Sequence, residues 1–366
     1  CCGHRDQFRG PQILSREGRV WGDRESDRNR GQSQQVEESR MKNSRIKNTV
    51  KSSLSETVQE QEVLCGVLPE GLGFRRCDGD GAKAALTACS NALSEKSREQ
   101  VEKLDEFLTE SGFETVFSRC LYGVNGSAFS GTPRERAEAL MRFYRDPEVR
   151  MIFDVSGGDA ANGILPYLDF EEIRKSGAVF WGYSDLTTVI NAIYAKTGKL
   201  SVLYQARNFA EESGEWQRQA FQKLVQKGGL ELFRFSCEWI RGTEMEGIVV
   251  GGNLRCLLKL AGTEYWPDMN GKILLLEARG GFAPQMGACL AQLAQMGVFE
   301  QINGILLGTF LSMEEKGEAP GIEELIAEYA GTELPLAKTS QIGHRTDSHG
   351  ILIGSRLALH RNREEY

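Results

Sequence analysis

One stretch constrains this chain more than any other: Met151-Ile152-Phe153-Asp154-Val155-Ser156-Gly157-Gly158-Asp159-Ala160-Ala161-Asn162-Gly163-Ile164-Leu165-Pro166. It reads as an apolar strand that runs into a double glycine and then directly into a helix. Glycine lets the backbone turn tightly, and a helix start leaves N–H groups without internal partners. Together they make a ready oxyanion site, and α/β hydrolases place their nucleophile at such a strand-to-helix turn. In open parallel sheets, ligands gather at the carboxyl ends of the strands. A purely structural turn would use the same residue types, so the stretch constrains architecture before it constrains chemistry.

Strand and helix patterns alternate around it. Ala84–Cys89 reads as a short buried strand, and Val101, Leu104, Phe107 and Leu108 share one face of a helix over Ser97–Ser111. Gly112–Phe117 is a second strand. Thr132 and Pro133 open a helix to Tyr144, with Thr as N-cap and Pro in the first position. Val149–Val155 is a third strand, and Asp169–Lys175 starts another helical piece. Such alternation predicts a parallel sheet covered by helices. From Trp216 the pattern changes, with strands at Ile248–Asn253, Gly271–Leu276, Gly304–Phe310 and Ile351–Leu357 and helices at Pro284–Met296 and Gly321–Tyr329. The expected class is α/β, with an N-terminal parallel-sheet domain over 81–215 and a C-terminal mixed α/β domain over 216–366. Residues 1–80 are expected to be a disordered or artefactual extension. Segments such as Arg24–Arg30 and Gln32–Gln35 offer too little apolar surface to offset their ordering entropy.

Composition excludes other classes. The formal net charge of −7 argues against general nucleic-acid binding. No apolar run approaches the ~20 residues that span a bilayer, and Cys1–Gly10 shows no apolar secretory segment. The 9 cysteines are scattered, with no CxxC pair and no metal-ligand spacing. Single thiols suit a reducing compartment, so a cytoplasmic location is expected.

Gly157-Gly158 with Asn162 and Leu165-Pro166-Tyr167-Leu168-Asp169 is followed in order by five further segments. These are Gly182-Tyr183-Ser184-Asp185-Leu186-Thr187, Gly251-Gly252-Asn253-Leu254, Lys272–Glu277, Gly304–Gly308 and Gly343-His344. The ordered set resembles the LD-carboxypeptidase family of serine peptidases, which includes murein tetrapeptide carboxypeptidases and microcin C self-immunity proteins. The resemblance implies a Rossmann-like, amidotransferase-like N-terminal domain and metal-free acyl transfer without a cofactor. It implies a small peptide or peptidyl-nucleotide substrate and a homodimer, with neither nucleic acid nor membrane as partner. Carried over by position, the family's Ser–Glu–His triad falls on Ala161, Glu277 and His344, which would leave the nucleophile position vacant. Backbone N–H groups of Gly158 and Asn162 would bind the oxyanion, and Asp159, Ser184 and Asp185 would lie at the substrate. Ser184 and Asp185 also read as a polar strand end that supports the sheet.

Three readings of Ala161 stay open: an engineered Ser→Ala change, a natural loss of catalysis, or an attacking residue elsewhere. Ser156 is the nearest hydroxyl, though it precedes the glycines. A vacant nucleophile would make the chain a ligand-binding homologue that does not cleave. His344 is preferred to His349 because the family's pattern places a glycine directly before its catalytic histidine, as Gly343 stands here. The sequence also departs from the family's pattern. Ser156-Gly157-Gly158-Asp159-Ala160 stands where murein-cleaving members carry Arg-Gly-Gly-Tyr-Gly, and Arg279 replaces an acidic residue. Arg279 could hold a substrate carboxylate or be a solvated charge. Trp181 and Trp266 read as packing residues, with stacking on a base as the alternative. A Cys-nucleophile amidotransferase is the remaining reading, with Cys89 nearest to a suitable turn.

Overall fold

The described residues of the computed structural model are 61–64, 81–123 and 126–361. The chain divides into two units, Cys1–Val58 and Gln59–Tyr366, and every described residue lies in the second. The described strands, in chain order, are β1 (Gln61–Leu64), β2 (Lys83–Thr87), β3 (Glu114–Phe117), β4 (Val149–Asp154), β5 (Val179–Gly182) and β6 (Ser201–Leu203). They continue with β7 (Arg234–Arg241), β8 (Glu244–Asn253), β9 (Lys272–Ala278), β10 (Gly304–Phe310), β11 (Leu336–Lys338), β12 (Ile351–Ile353) and β13 (Arg356–His360).

Two sheets result, and the α/β class holds. The first has the order β12-β6-β5-β4-β2-β3 and is parallel except for β12, which pairs antiparallel with β6. The second has the order β1-β7-β11-β10-β9-β8-β13. Its middle four strands are parallel, while β1, β7 and β13 run antiparallel to their neighbours. Parallel strands need crossovers, and here those are helices such as Arg98–Glu110, Pro133–Arg145 and Thr187–Thr197. Among the described residues no helix is long and apolar enough to cross a membrane.

The second sheet shows how strand periodicity places chemistry. Ile273 and Leu275 on β9 pack into the core shared with the first sheet, whereas Leu274 and Leu276 pack into a second core beneath the helices Ala283–Gln295 and Ile322–Ala330. Side chains alternate along a strand, so Glu277 shares the parity of Ile273 and Leu275 and turns toward the first sheet.

Several expectations change. The strand expected over Ile351–Leu357 breaks at Gly354, whose φ of +88° suits glycine; β12 joins the first sheet and β13 the second. Neither sheet is therefore one continuous piece of chain. The extension expected over 1–80 lies outside the described residues apart from β1, which pairs with β7. The helix expected directly after Gly157-Gly158 is instead a short 3-10 segment, Ala161–Tyr167, because Ala160 offers no side-chain cap and Pro166 interrupts it. Asp169, the last residue of the Leu-Pro-Tyr-Leu-Asp segment, caps the next helix by accepting from the N–H groups of Glu171 and Glu172.

Candidate active site

Three loops meet at the carboxyl ends of β2, β4 and β5. The loop after β5 is the tightest. Gly182 ends that strand, and the position takes glycine because a side chain there would fall 2.7 Å from Leu186 Cβ and 2.8 Å from Phe180 Cε1. Two residues on, Ser184 has φ +55°, the one positive value for a non-glycine residue among the described residues. Such a conformation costs roughly 1–3 kcal/mol and persists where surrounding structure imposes it. The helix Thr187–Thr197 follows almost at once. Strand, strained serine and helix are the elements that expose a nucleophile at the top of an α/β sheet.

The partner groups come from the second sheet. Glu277 lies near the end of β9 with its side chain fully buried, and its Oε2 is 2.6 Å from His344 Nδ1. The other imidazole nitrogen, Nε2, is 3.2 Å from Ser184 Oγ. A carboxylate only accepts, so Nδ1–H donates to Glu277, which leaves Nε2 to accept from the Ser184 hydroxyl. The ring of Tyr183 packs on the imidazole at 4.3 Å between centroids. Behind His344, Gly343 has φ +141°, and a side chain there would collide with Thr309 Oγ1. The imidazole is thus fixed by packing from one side and by its carboxylate from the other.

The expected residues divide clearly. Glu277, His344 and Ser184 are brought together, and Gly158 lines the same cleft. Ala161 is not part of it: the residue is fully buried, and its N–H donates to Asp185 Oδ2 at 2.8 Å. Asn162 lines a different cavity with Phe129 and Pro133. Asp185 is fully buried. Its carboxylate accepts from Ser90 Oγ at 2.6 Å, from the Ala161 N–H and from Lys259 Nζ at 2.5 Å. That one carboxylate ties the loops after β2, β4 and β5 to the segment that follows β8. Asp159 is exposed and ion-paired to Arg255 at 3.0 Å.

Other candidates fall away on burial. Ser156 Oγ is committed to Asp154 Oδ1 at 2.5 Å and accepts the Ser90 N–H at 3.0 Å. Burial pushes the Cys89 thiol far up, with the Asp154 carboxylate adding to it, which suppresses the thiolate an amidotransferase would need. Trp181 is fully buried in the core, and Trp266 packs partly buried against both cores. His349 lies elsewhere, beside Trp216 and Gln341.

The cleft has a cavity volume of about 310 Å³, and its walls include Asn91, Gly158, Ser184, Arg207, Arg279 and His344. Gly158 has φ +127°, and a side chain there would meet Asn91 at 2.3 Å, so glycine keeps the backbone close to this wall. Sequence reasoning set Ser184 at the substrate but did not pair it with His344, although Gly182-Tyr183-Ser184 after an apolar strand was a usable signal.

A hydrogen-bonded Ser–His–Glu chain on an α/β scaffold is the arrangement that acyl-transferring serine enzymes use. The comparisons give the family: the LD-carboxypeptidase N-terminal domain matches residues 84–205 and the LD-carboxypeptidase C-terminal domain matches residues 246–359. Together they span well over half of the chain, which belongs to the LD-carboxypeptidase family. It is 25% identical to the microcin C7 self-immunity protein of Escherichia coli over 69% of this chain and 83% of that protein. It is 28% identical to a probable murein peptide carboxypeptidase of Bacillus subtilis over 70% of this chain and 84% of the relative. Among solved structures, a microcin-immunity-like protein of Bacillus anthracis superposes with a TM-score of 0.68 at 28% identity, covering 78% of this chain and 95% of that one.

Proposed function

We propose that this chain is an active serine-type carboxypeptidase and that Ser184, His344 and Glu277 are its triad. The hydrogen bond from Ser184 to His344 Nε2, with Glu277 on the far nitrogen, carries the reading. The non-cleaving alternative rested on Ala161, which lies outside the cleft.

In the proposed reaction His344 Nε2 takes the Ser184 proton as Oγ attacks the amide carbonyl carbon. The carbonyl oxygen gains charge, and we assign the backbone N–H groups of Asp185, the residue after the nucleophile, and of Gly158 as its donors. His344 then returns the proton to the leaving amine, and water attacks the acyl-enzyme with the same base. Glu277 holds the imidazole tautomer and stabilises the imidazolium that forms.

The substrate we propose is a peptide amide near a free C-terminus, as in a murein tetrapeptide, or a peptidyl-nucleotide of the kind the microcin-immunity branch implies. Cys89, Cys120, Cys237 and Cys256 are free buried thiols, which supports a reducing compartment and a cytoplasmic location.

The test is mass spectrometry of product release from a murein tetrapeptide and from a peptidyl-adenylate. Ser184→Ala is expected to lower kcat by about 10⁶, whereas Ala161→Ser should leave kcat within about threefold. An Ala161→Ser variant that gains activity while Ser184→Ala loses none would return the nucleophile to the turn after β4.

A further inference from the structure

His344 sits between β11 and β12, on a span without helix or strand. Such spans are the mobile parts of a fold unless their backbone groups are held. Before the histidine, Ile342 O accepts from Thr309 N at 2.9 Å, and the loop is closed where His349 N donates to Gln341 O at 2.7 Å. After it, the carbonyls of Arg345, Thr346 and Ser348 accept from two side-chain amides. Gln217 Nε2 donates to Thr346 O at 2.9 Å and to Ser348 O at 3.1 Å. Asn208 Nδ2 donates to Ser348 Oγ at 3.1 Å and to Arg345 O at 3.4 Å.

Both amides stand where packing alone would place an apolar side chain. The helix Glu215–Lys227 buries Gln217, Ala220, Phe221, Leu224 and Val225, a stripe at helical spacing in which Gln217 alone is polar. Asn208 is fully buried on the 3-10 segment Ala206–Ala210. A buried amide costs free energy unless its donors and acceptor are met. Asn208 Oδ1 accepts from Gln205 Nε2 at 2.7 Å, which fixes the face of that amide and turns Nδ2 to the loop. Gln205 itself lines the Ser184 cleft, whereas neither Asn208 nor Gln217 does. We propose that Asn208 and Gln217 are positioning residues for His344. They hold the loop behind it so that Nε2 stays within reach of Ser184 Oγ while Nδ1 stays on Glu277. The proposal rests on the reading of the Ser184 cleft as the hydrolytic site. The effect is geometric, since a misplacement of about 1 Å costs on the order of 10²-fold in rate.

Gln217→Met keeps the bulk and removes the donors, and Asn208→Leu does the same at the second position. Proton NMR of the free protein reads the His344 Nδ1–H as a downfield resonance, assigned by its loss in His344→Gln. Steady-state hydrolysis of a murein tetrapeptide reads kcat and KM. Each variant is expected to lower kcat about tenfold and the pair about 10²-fold, with KM within about threefold. Each is also expected to move or broaden the downfield resonance. Amides that only stabilise the fold would lower the urea midpoint and leave kcat and the resonance of the folded protein in place, which would overturn the proposal. A loss carried by KM alone would overturn it as well. Should these variants fail to fold, Ser348→Ala is the milder probe, because it removes one acceptor of the Asn208 amide and little bulk. It is expected to lower kcat about threefold and to move the same resonance, and no change in either reading would overturn the proposal. A displaced resonance in variants of a parent that cleaves neither the tetrapeptide nor a peptidyl-adenylate keeps the positioning and removes the hydrolase. Full cleavage with kcat and resonance unaltered in the variants keeps the hydrolase and removes the positioning.

Discussion

Two turns of the same sheet divide the labour of one site. The turn after β4 carries two adjacent glycines and opens toward the cleft, yet its residues supply backbone, wall and scaffolding. Asp154 and Ser156 lock it to the loop after β2, and Ala161 donates its N–H to Asp185. The turn after β5 has a single glycine, and it presents the hydroxyl that meets His344. The difference lies in where the positive φ falls. In the first turn it falls on Gly158, which has no side chain to present; in the second it falls on Ser184, which does. Glycine makes a sharp turn easy, but a side chain is displayed only where a residue other than glycine takes that conformation.

The swap of Ser184→Ala against Ala161→Ser probes this contrast with the largest expected effect. Next comes Glu277→Gln, which keeps the shape but removes the charge behind the imidazole. A loss of about 10⁴ in kcat is expected from the analogous change in a dissected triad, measured by steady-state kinetics. An effect under tenfold would show that the His344 ring is not held by this carboxylate during turnover. Lys259→Met should then destabilise both turns together, because it leaves Asp185 buried without its cation. About 3 kcal/mol is expected in urea unfolding, and a loss below about 1 kcal/mol would mean that Ser90 and the Ala161 N–H alone satisfy that carboxylate. The smallest effect separates the glycines themselves. Gly182→Ala should cost about 1–3 kcal/mol through overpacking, whereas Gly157, with no atom within 4 Å of an added Cβ, should tolerate Ala within about 0.5 kcal/mol. Equal costs at the two positions would erase the distinction.

Legibility in the sequence followed the same physics. Glu277 and His344 could be named because the resemblance to the family carried its triad onto them; on residue type alone a carboxylate at a strand end and a histidine in a polar loop are unremarkable. Helices with one buried face, such as Arg98–Glu110 and Ala283–Gln295, were found within a residue or two of their bounds. The helix Thr187–Thr197 was not, since Thr187 through Ile193 are all buried and no amphipathic period remains. With that helix unseen, Ser184 read as the end of a strand rather than the crest of a turn. Its positive φ is a backbone conformation that neither spacing nor composition reveals. The double glycine drew attention instead, because tight turns leave a mark in sequence and strained ones often do not.

The late return of β12 to the first sheet has a consequence for biosynthesis. His344 hangs on the span between β11, in one sheet, and β12, in the other. A ribosome-bound chain that has completed β2 through β6 contains Ser184 but not His344, so the hydrogen bond between them can form only after the segment following β11 has been made.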